Sequence, residues 1–310
     1  MPTKRPAQHF LTGEEFTAER LLALLRRAEQ LRADRAAGRL LTPLAGKTVI
    51  LLFEKPSLRT HLSFKIAIQE LGGQAVESFS FNRKKEEPED VARVLGGYAH
   101  AIMLRTHEHR LLERMAAFSP VPVINGLSDS HHPCQVLADL LTLQQVYGKL
   151  QGLTLAYIGD GNNMLNSLLL LAPFLGVHVR YACPEGYEPN AFVVRQAEAR
   201  AKLGGATISA FNDPLEAAKG ARALYTDVWT SMGFEGESAD RERHFEGFQV
   251  NEALYAAAAP EAIIMHCMPM VRGKEISETM ADHPRSMIFP QSENRLHAQK
   301  SLLIELLAGA

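Results

Sequence analysis

The chain has 310 residues, 46% of them hydrophobic and 22% charged, with a formal net charge of −2. These are ordinary globular values, and the near balance of charge leaves no whole-protein field to draw in nucleic acid or an acidic membrane. The length suits two domains of about 100–200 residues each.

Three widely spaced cysteines, Cys134, Cys183 and Cys267, without a Cys-x-x-Cys pair, suggest neither a disulfide framework nor a metal site and fit a reducing cytoplasm. Residues 1–9 are polar, and no run reaches the roughly 18 apolar residues that span a bilayer. Neither export nor membrane insertion is expected.

Between residues 16 and 35, Leu21, Leu22, Leu24, Leu25, Ala28 and Leu31 recur at helical spacing among Arg and Glu, an amphipathic helix. Gly38 and Pro43 punctuate before the apolar run Thr48-Val49-Ile50-Leu51-Leu52, a strand. Phe53-Glu54-Lys55-Pro56-Ser57-Leu58-Arg59-Thr60-His61 follows, and residues 62–71 read as helix. A helix start presents N–H groups without helical partners and the positive end of the dipole, so Ser57, Arg59 and Thr60 there can grip a phosphate. The same residues also fit an ordinary cap, with Ser57 capping and Arg59 in solvent.

Residues 74–79 lead to a polar segment, 82–88, with the basic cluster Arg83-Lys84-Lys85, and to a helix from Glu89 that carries Val91, Val94, Leu95 and Tyr98. Ala101-Ile102-Met103-Leu104 is a buried-type strand ending on Arg105-Thr106-His107, and Val121-Pro122-Val123-Ile124-Asn125 leads into Ser128-Asp129-Ser130-His131-His132-Pro133. A helix over 134–146 ends at Gly148-Lys149-Leu150-Gln151-Gly152, which reads as a domain boundary.

The second half repeats the pattern, with strands at 153–158, 177–182, 206–210, 223–226 and 263–266 and helix-like stretches at 164–175, 191–203, 214–219 and 251–257. Met287-Ile288-Phe289 reads as a last strand before a closing helix through Leu302, Leu303 and Leu306. The alternation predicts an α/β protein of two domains, each a parallel sheet flanked by helices, at 1–148 and 149–290, with the C-terminal helix of 291–310 returning to the first. In such sheets ligands bind at the carboxyl ends of strands, where the polar motifs lie.

Those strand ends carry Ser57 to Thr60, Arg105-Thr106-His107, His132-Pro133-Cys134-Gln135, Asp227-Val228-Trp229-Thr230-Ser231-Met232-Gly233 and His266-Cys267-Met268-Pro269, with Arg295 beyond them. As an ordered set, over nearly the whole chain, they resemble the aspartate/ornithine carbamoyltransferase family, on its ornithine-using side. The resemblance implies transfer of the carbamoyl group of carbamoyl phosphate to the side-chain amine of L-ornithine, giving L-citrulline and phosphate, a step of arginine metabolism. It also implies no cofactor or metal, a homotrimer or multiple of trimers with sites at subunit interfaces, and closure on the second substrate.

By the same resemblance, Ser57, Leu58, Arg59, Thr60, Arg105, His132, Gln135, Cys267, Met268 and Arg295 bind carbamoyl phosphate, while Asn163, Asp227, Ser231 and Met232 bind ornithine. Arg105, His132, Asp227 and Cys267 are the implied catalytic residues. The chemistry is consistent: a leaving phosphate gains charge, which preorganised guanidinium groups and N–H donors stabilise. An alkyl amine of pKa about 10.4 must also lose its proton, at roughly 4–5 kcal/mol at pH 7. Taken singly, His131-His132-Pro133 also fits a helix-start turn, and a buried Cys is more often inert packing.

The chain departs from the pattern at His61, where the family usually has Arg, so weaker and more pH-dependent phosphate binding is expected. It departs again at Glu87-Pro88-Glu89-Asp90-Val91, in a loop that reaches a neighbouring subunit in the family, and mildly at Met268 for Leu. Gly159-Asp160-Gly161 follows a strand like a dinucleotide fingerprint, but a third glycine and a ribose-binding acid are missing. Two competing functions are transfer to another amine such as putrescine, which would have no use for an α-amino-acid clamp, and non-catalytic binding by a homologue, which would have no need of the full set of site residues.

Overall fold

The computed structural model describes residues 7–79, 86–230, 236 and 238–308. The chain forms two compact units, one made of the residues up to Leu137 together with those from Arg295 onward, the other of Ala138–Asn294. The divisions fall inside two helices, α5 (Pro133–Tyr147) and α12 (Ile288–Leu307), whereas the glycines at 148 and 152 mark the end of α5.

In the first unit the strands β1 (Thr48–Phe53), β2 (Gln74–Ser78), β3 (Ala101–Arg105) and β4 (Val123–Leu127) form a parallel sheet in the order β2-β1-β3-β4. Its central strands β1 and β3 are buried over all but one end residue each because helices cover them, and Ile50, Leu52, Ile102, Leu104 and Val123 pack against Leu112 and Met115. The helices are α1 (Ala18–Ala36), α2 (Leu58–Glu70), α3 (Pro88–Tyr98) and α4 (His109–Phe118).

α1 is capped by Thr17, which accepts from Arg20 N, and buries Leu21, Leu24, Leu25, Ala28 and Leu31. The C-terminal helix is fixed in this unit by Ser301 Oγ, 2.8 Å from the Leu24 carbonyl, and by Glu305, which pairs with Arg20 at 2.7 Å and Arg27 at 2.9 Å.

The second unit holds β5 (Thr154–Ile158), β6 (His178–Ala182), β7 (Ile208–Phe211), β8 (Ala223–Thr226) and β9 (Ile263–His266), parallel, in the order β7-β6-β5-β8-β9. Between and after them come α6 (Asn163–Leu171), α7 (Ala191–Gly204), α8 (Pro214–Ala218), α9 (Ser238–His244), α10 (Glu252–Ala257) and α11 (Glu278–Ala281). In both units the chain reverses direction of winding beside the first strand, the position where open sheets leave a crevice at their carboxyl ends.

Some local expectations change. Met287-Ile288-Phe289 is not a strand: Ile288 starts α12 and is buried in the second unit's core, and only Ser286 bridges β9, at Ile264. A three-residue apolar run cannot distinguish the two states by period. α2 starts at Leu58 rather than 62, which places Arg59 and Thr60 in its first turn.

Candidate active site

In the first unit, β1 ends at Phe53 and the chain turns through Glu54 to enter α2 at Leu58, with Ser57 as the N-cap. The Ser57 side chain makes no cap hydrogen bond, so it does not serve the capping role that its position would allow. Glu54 ties the neighbouring strand ends together: its Oε2 accepts from Thr106 Oγ1 and, at 3.2 Å, from His107 N, while its N–H donates to the Arg105 carbonyl at 3.0 Å.

This tie fixes Arg105 at the end of β3, beside the start of α2. Thr60 is fully buried, and its hydroxyl accepts from Arg105 Nη1 at 3.3 Å and from Arg295 Nη2 at 2.6 Å. Arg295 lies 235 residues away in sequence, so only the returning C-terminal helix brings it here. Burial, and after it the cations of Arg295 and Arg59, push the Arg105 guanidinium down to about 10. It stays charged at neutral pH, and three like charges held this close make a site that favours an anion.

His132 is buried immediately before α5, and Gln135 is buried in that helix's first turn, its N–H donating to the His132 carbonyl at 3.1 Å. Burial, then Arg295 and Arg105, hold the His132 imidazole well below its ordinary range, so at neutral pH it is uncharged. The turn before it is fastened by Asn125 Nδ2 and Ser128 N, which donate to the His131 carbonyl at 3.3 and 2.9 Å.

In the second unit, β5 ends at Ile158 and the chain passes through Gly159-Asp160-Gly161 to α6. Gly161 is required by packing: a Cβ would stand 2.3 Å from the Glu188 carbonyl carbon and 2.3 Å from Pro189 N. The motif's second glycine thus serves close approach of the protein's own 187–189 backbone. Asn162 caps α6, accepting from Met164 N at 2.9 Å and Leu165 N at 3.3 Å, and its Nδ2 donates to Asp227 Oδ2 at 2.8 Å.

Asp227, buried just beyond β8, takes Val228 N at 2.8 Å and Cys267 Sγ at 2.9 Å on its other oxygen. Cys267, just past β9, is also buried. Behind this group Tyr157 donates to the Asp160 carbonyl at 3.0 Å and to Asn162 Oδ1 at 3.3 Å, and Arg241 Nη1 bonds Asp160 Oδ2 at 2.8 Å and the Trp229 carbonyl at 2.9 Å.

Asp227, His266 and Cys267 place three potential metal-ligand atoms within 4.8 Å of one another. Both His266 ring nitrogens are engaged, however, Nδ1 by Met268 N at 2.9 Å and Nε2 by Glu275 Oε1 at 3.0 Å. A cation there would have to displace a buried hydrogen bond.

The predicted residues thus gather in two groups. The first unit brings together Ser57, Leu58, Arg59, Thr60, Arg105, His132, Gln135 and Arg295, and the second brings together Asp227, Cys267 and the adjoining Met268, with Asn163 next to the Asn162 that bonds Asp227. Ser231 and Met232 lie outside the described residues, as does Arg83-Lys84-Lys85. Sequence reasoning passed over Glu54 and Asn162. Asn162 carried a signal, an Asn directly before an apolar helical run.

His61 has a partner of its own: Nε2 lies 2.9 Å from Glu77 Oε2, Lys65 Nζ is 2.8 Å from the other oxygen, and the ring packs edge-on against Phe53 and Phe79. Charge at this position is answered locally by Glu77.

The family model for the aspartate/ornithine carbamoyltransferase carbamoyl-P binding domain matches residues 8–145, and that for the Asp/Orn binding domain matches 151–306. The ornithine carbamoyltransferase of Anoxybacillus flavithermus is 49% identical, covering 96% of this chain and 96% of its own. That of a Parafrankia species is also 49% identical, over 97% and 96%. The solved structure of the Pyrococcus furiosus ornithine carbamoyltransferase superposes with a TM-score of 0.94 at 41% identity, over 98% of both chains. With both its units matched and nearly half its residues shared with such relatives, the chain belongs to the aspartate/ornithine carbamoyltransferase family.

Proposed function

We propose that the protein transfers the carbamoyl group of carbamoyl phosphate to the side-chain amine of L-ornithine, giving L-citrulline and phosphate. The observation that carries this reading is the buried Thr60 hydroxyl held between two guanidiniums, Arg105 and Arg295, at the start of α2 with Arg59 beside them. Such a site is built for a phosphate whose charge rises as it leaves.

In the reaction the neutral amine attacks the carbamoyl carbon, the bond from that carbon to the phosphate oxygen breaks, and the phosphate departs with the bonding pair. The amine gives up its proton as the carbon–nitrogen bond forms. Ser57, Leu58, Arg59, Thr60, Arg105 and Arg295 hold the phosphate. His132, kept neutral by its surroundings, donates to the carbonyl oxygen as it becomes an oxyanion, and Gln135 accepts from the carbamoyl amide.

Cys267 and Met268 are assigned to carbamoyl phosphate on the second unit, and Asn163, Asp227, Ser231 and Met232 to ornithine. The bonded pair of Asp227 and Cys267 supports a site for a positively charged amino acid, since a carboxylate favours an ammonium and can take up its proton.

The working form is a homotrimer or a multiple of trimers. The edge strand β2, the residue after it and the neighbouring α2 leave Leu58, Leu62, Val76 and Phe79 between 43% and 68% exposed, apolar surface of the kind that subunit contacts cover. A reducing compartment, the cytoplasm, suits the three separate buried thiols. The test is release of citrulline and phosphate in equal amounts from carbamoyl phosphate and L-ornithine. Phosphate release without citrulline would overturn the assignment.

A further inference from the structure

Residues 267–274 leave β9 and return to a short bridged stretch in which Val250 and Arg272 both pair with Ile276. The two ends of this excursion, His266 and Glu275, meet in the interior, where both side chains are buried, at 0% and 1% exposure. Glu275 Oε1 lies 3.0 Å from His266 Nε2 and also accepts from Val271 N at 2.5 Å. His266 Nδ1 accepts from Met268 N at 2.9 Å, and the His266 N–H donates to Gln291 Oε1 at 2.9 Å. The Glu275 carbonyl is held in turn by Val250 N at 2.9 Å.

We propose that Glu275 is a positioning residue for the amino-acid half of the site, acting through His266. This rests on the reading of Asp227 and Cys267 given above. A carboxylate oxygen can only accept a hydrogen bond, so it obliges His266 to carry its proton on Nε2. Nδ1 is then left with a lone pair, which is what the Met268 N–H requires. With the other tautomer, two N–H groups would face each other and Met268 would lose its anchor.

Met268 needs one. It is the only non-glycine among the described residues with positive φ, at 61°, a conformation that side-chain-bearing residues seldom hold unaided. Met268 directly follows Cys267, whose Sγ must stay 2.9 Å from Asp227 Oδ1. The acceptor on Glu275 therefore sets the imidazole, the imidazole sets the backbone at 268, and that backbone aims the thiol.

The experiment compares E275A and E275Q with the wild type. E275A removes the acceptor, whereas E275Q keeps an oxygen that can bond both Nε2–H and Val271 N. We expect E275A to lower kcat/KM for ornithine by about tenfold or more, the cost of stranding buried donors. Inorganic phosphate, a probe of the first unit's site, should bind within about twofold of wild type because its contacts are untouched.

Alkylation of Cys267 by iodoacetamide, read on its peptide by mass spectrometry, should be faster in E275A and of wild-type rate in E275Q, and E275Q should restore most of the activity. E275Q as impaired as E275A, or E275A equal to wild type in turnover and labelling, would overturn the proposal. A second measurement needs only the wild-type chain: nitrogen-15 NMR of labelled histidines, with His266 identified by the signals lost in H266Q. The proposal requires the Nε2–H tautomer at pH 7, and an Nδ1–H tautomer would overturn it. If wild type fails to turn over ornithine, the functional assignment falls, while labelling and tautomer still judge the positioning.

Discussion

Replacing Thr60 with Val tests whether this hydroxyl organises the anion site. The substitution keeps the shape of the side chain and removes one oxygen. In the folded protein that oxygen accepts from Arg295 at 2.6 Å and from Arg105 at 3.3 Å. A hydrogen bond from a charged donor is worth about 1.5–3 kcal/mol. The 3.3 Å contact is long, so the short bond dominates. Without it, Arg295 must be brought back to its aiming position when the phosphate arrives, which corresponds to a loss of affinity of roughly 10- to 150-fold.

Burial first, and then the cations of Arg295 and Arg59, lower the Arg105 guanidinium, so the hydroxyl between Arg105 and Arg295 also bridges two like charges. Titration calorimetry with carbamoyl phosphate gives the affinity directly, and circular dichroism shows that the variant is folded. A folded T60V that binds carbamoyl phosphate within about twofold of wild type would refute the assignment of that hydroxyl, since the predicted loss is at least about tenfold.

Three further outcomes are expected. His131, pushed down to about 3 by burial and then by His109, and His132, held well below its ordinary range, stay neutral in the folded protein but take up protons below about pH 6.5 when unfolded. Stability should therefore be complete above about pH 7 and fall as the pH drops toward 5, by at most about 1.4 kcal/mol per unit for each histidine. A urea midpoint that does not change between pH 7.5 and 5.5 would contradict this. D160A leaves the Arg241 guanidinium in a site where both partners are less than a tenth exposed, and should cost about 3–5 kcal/mol in urea unfolding; a loss below about 1 kcal/mol would show that the pair is effectively solvated. H61R should change carbamoyl phosphate affinity by less than about threefold, because Glu77 stands 2.9 Å from that side chain and shields the anion site from its charge; a gain of about tenfold or more would restore the view that the family's Arg acts directly on the phosphate.

Much of the architecture was legible in the sequence because it follows from period and punctuation. The β1 run is nearly all apolar since both sheet faces are covered, and β8 and β9 of the second unit are likewise buried throughout. α4 was not legible because only Leu112, Met115 and Ala116 of its residues are buried, among charged residues and one histidine. The phosphate half of the site was readable as a strand end, a helix start and a set of Arg and His. Its centre was not: the meeting of Thr60 with Arg295 depends on the path of the last helix, which no local pattern encodes. Likewise, no local pattern marks Glu275, and only the return of the 267–274 excursion makes it the buried partner of His266.

The most direct test of the whole account is kcat/KM of the wild-type protein with carbamoyl phosphate and four acceptors: L-ornithine, putrescine, N-acetyl-L-ornithine and L-aspartate. Citrulline should form, with ornithine preferred over each of the others by about a hundredfold or more, as expected when buried polar groups lose their partners. Equal turnover of putrescine, or carbamoyl phosphate binding with no turnover of any acceptor, would contradict it.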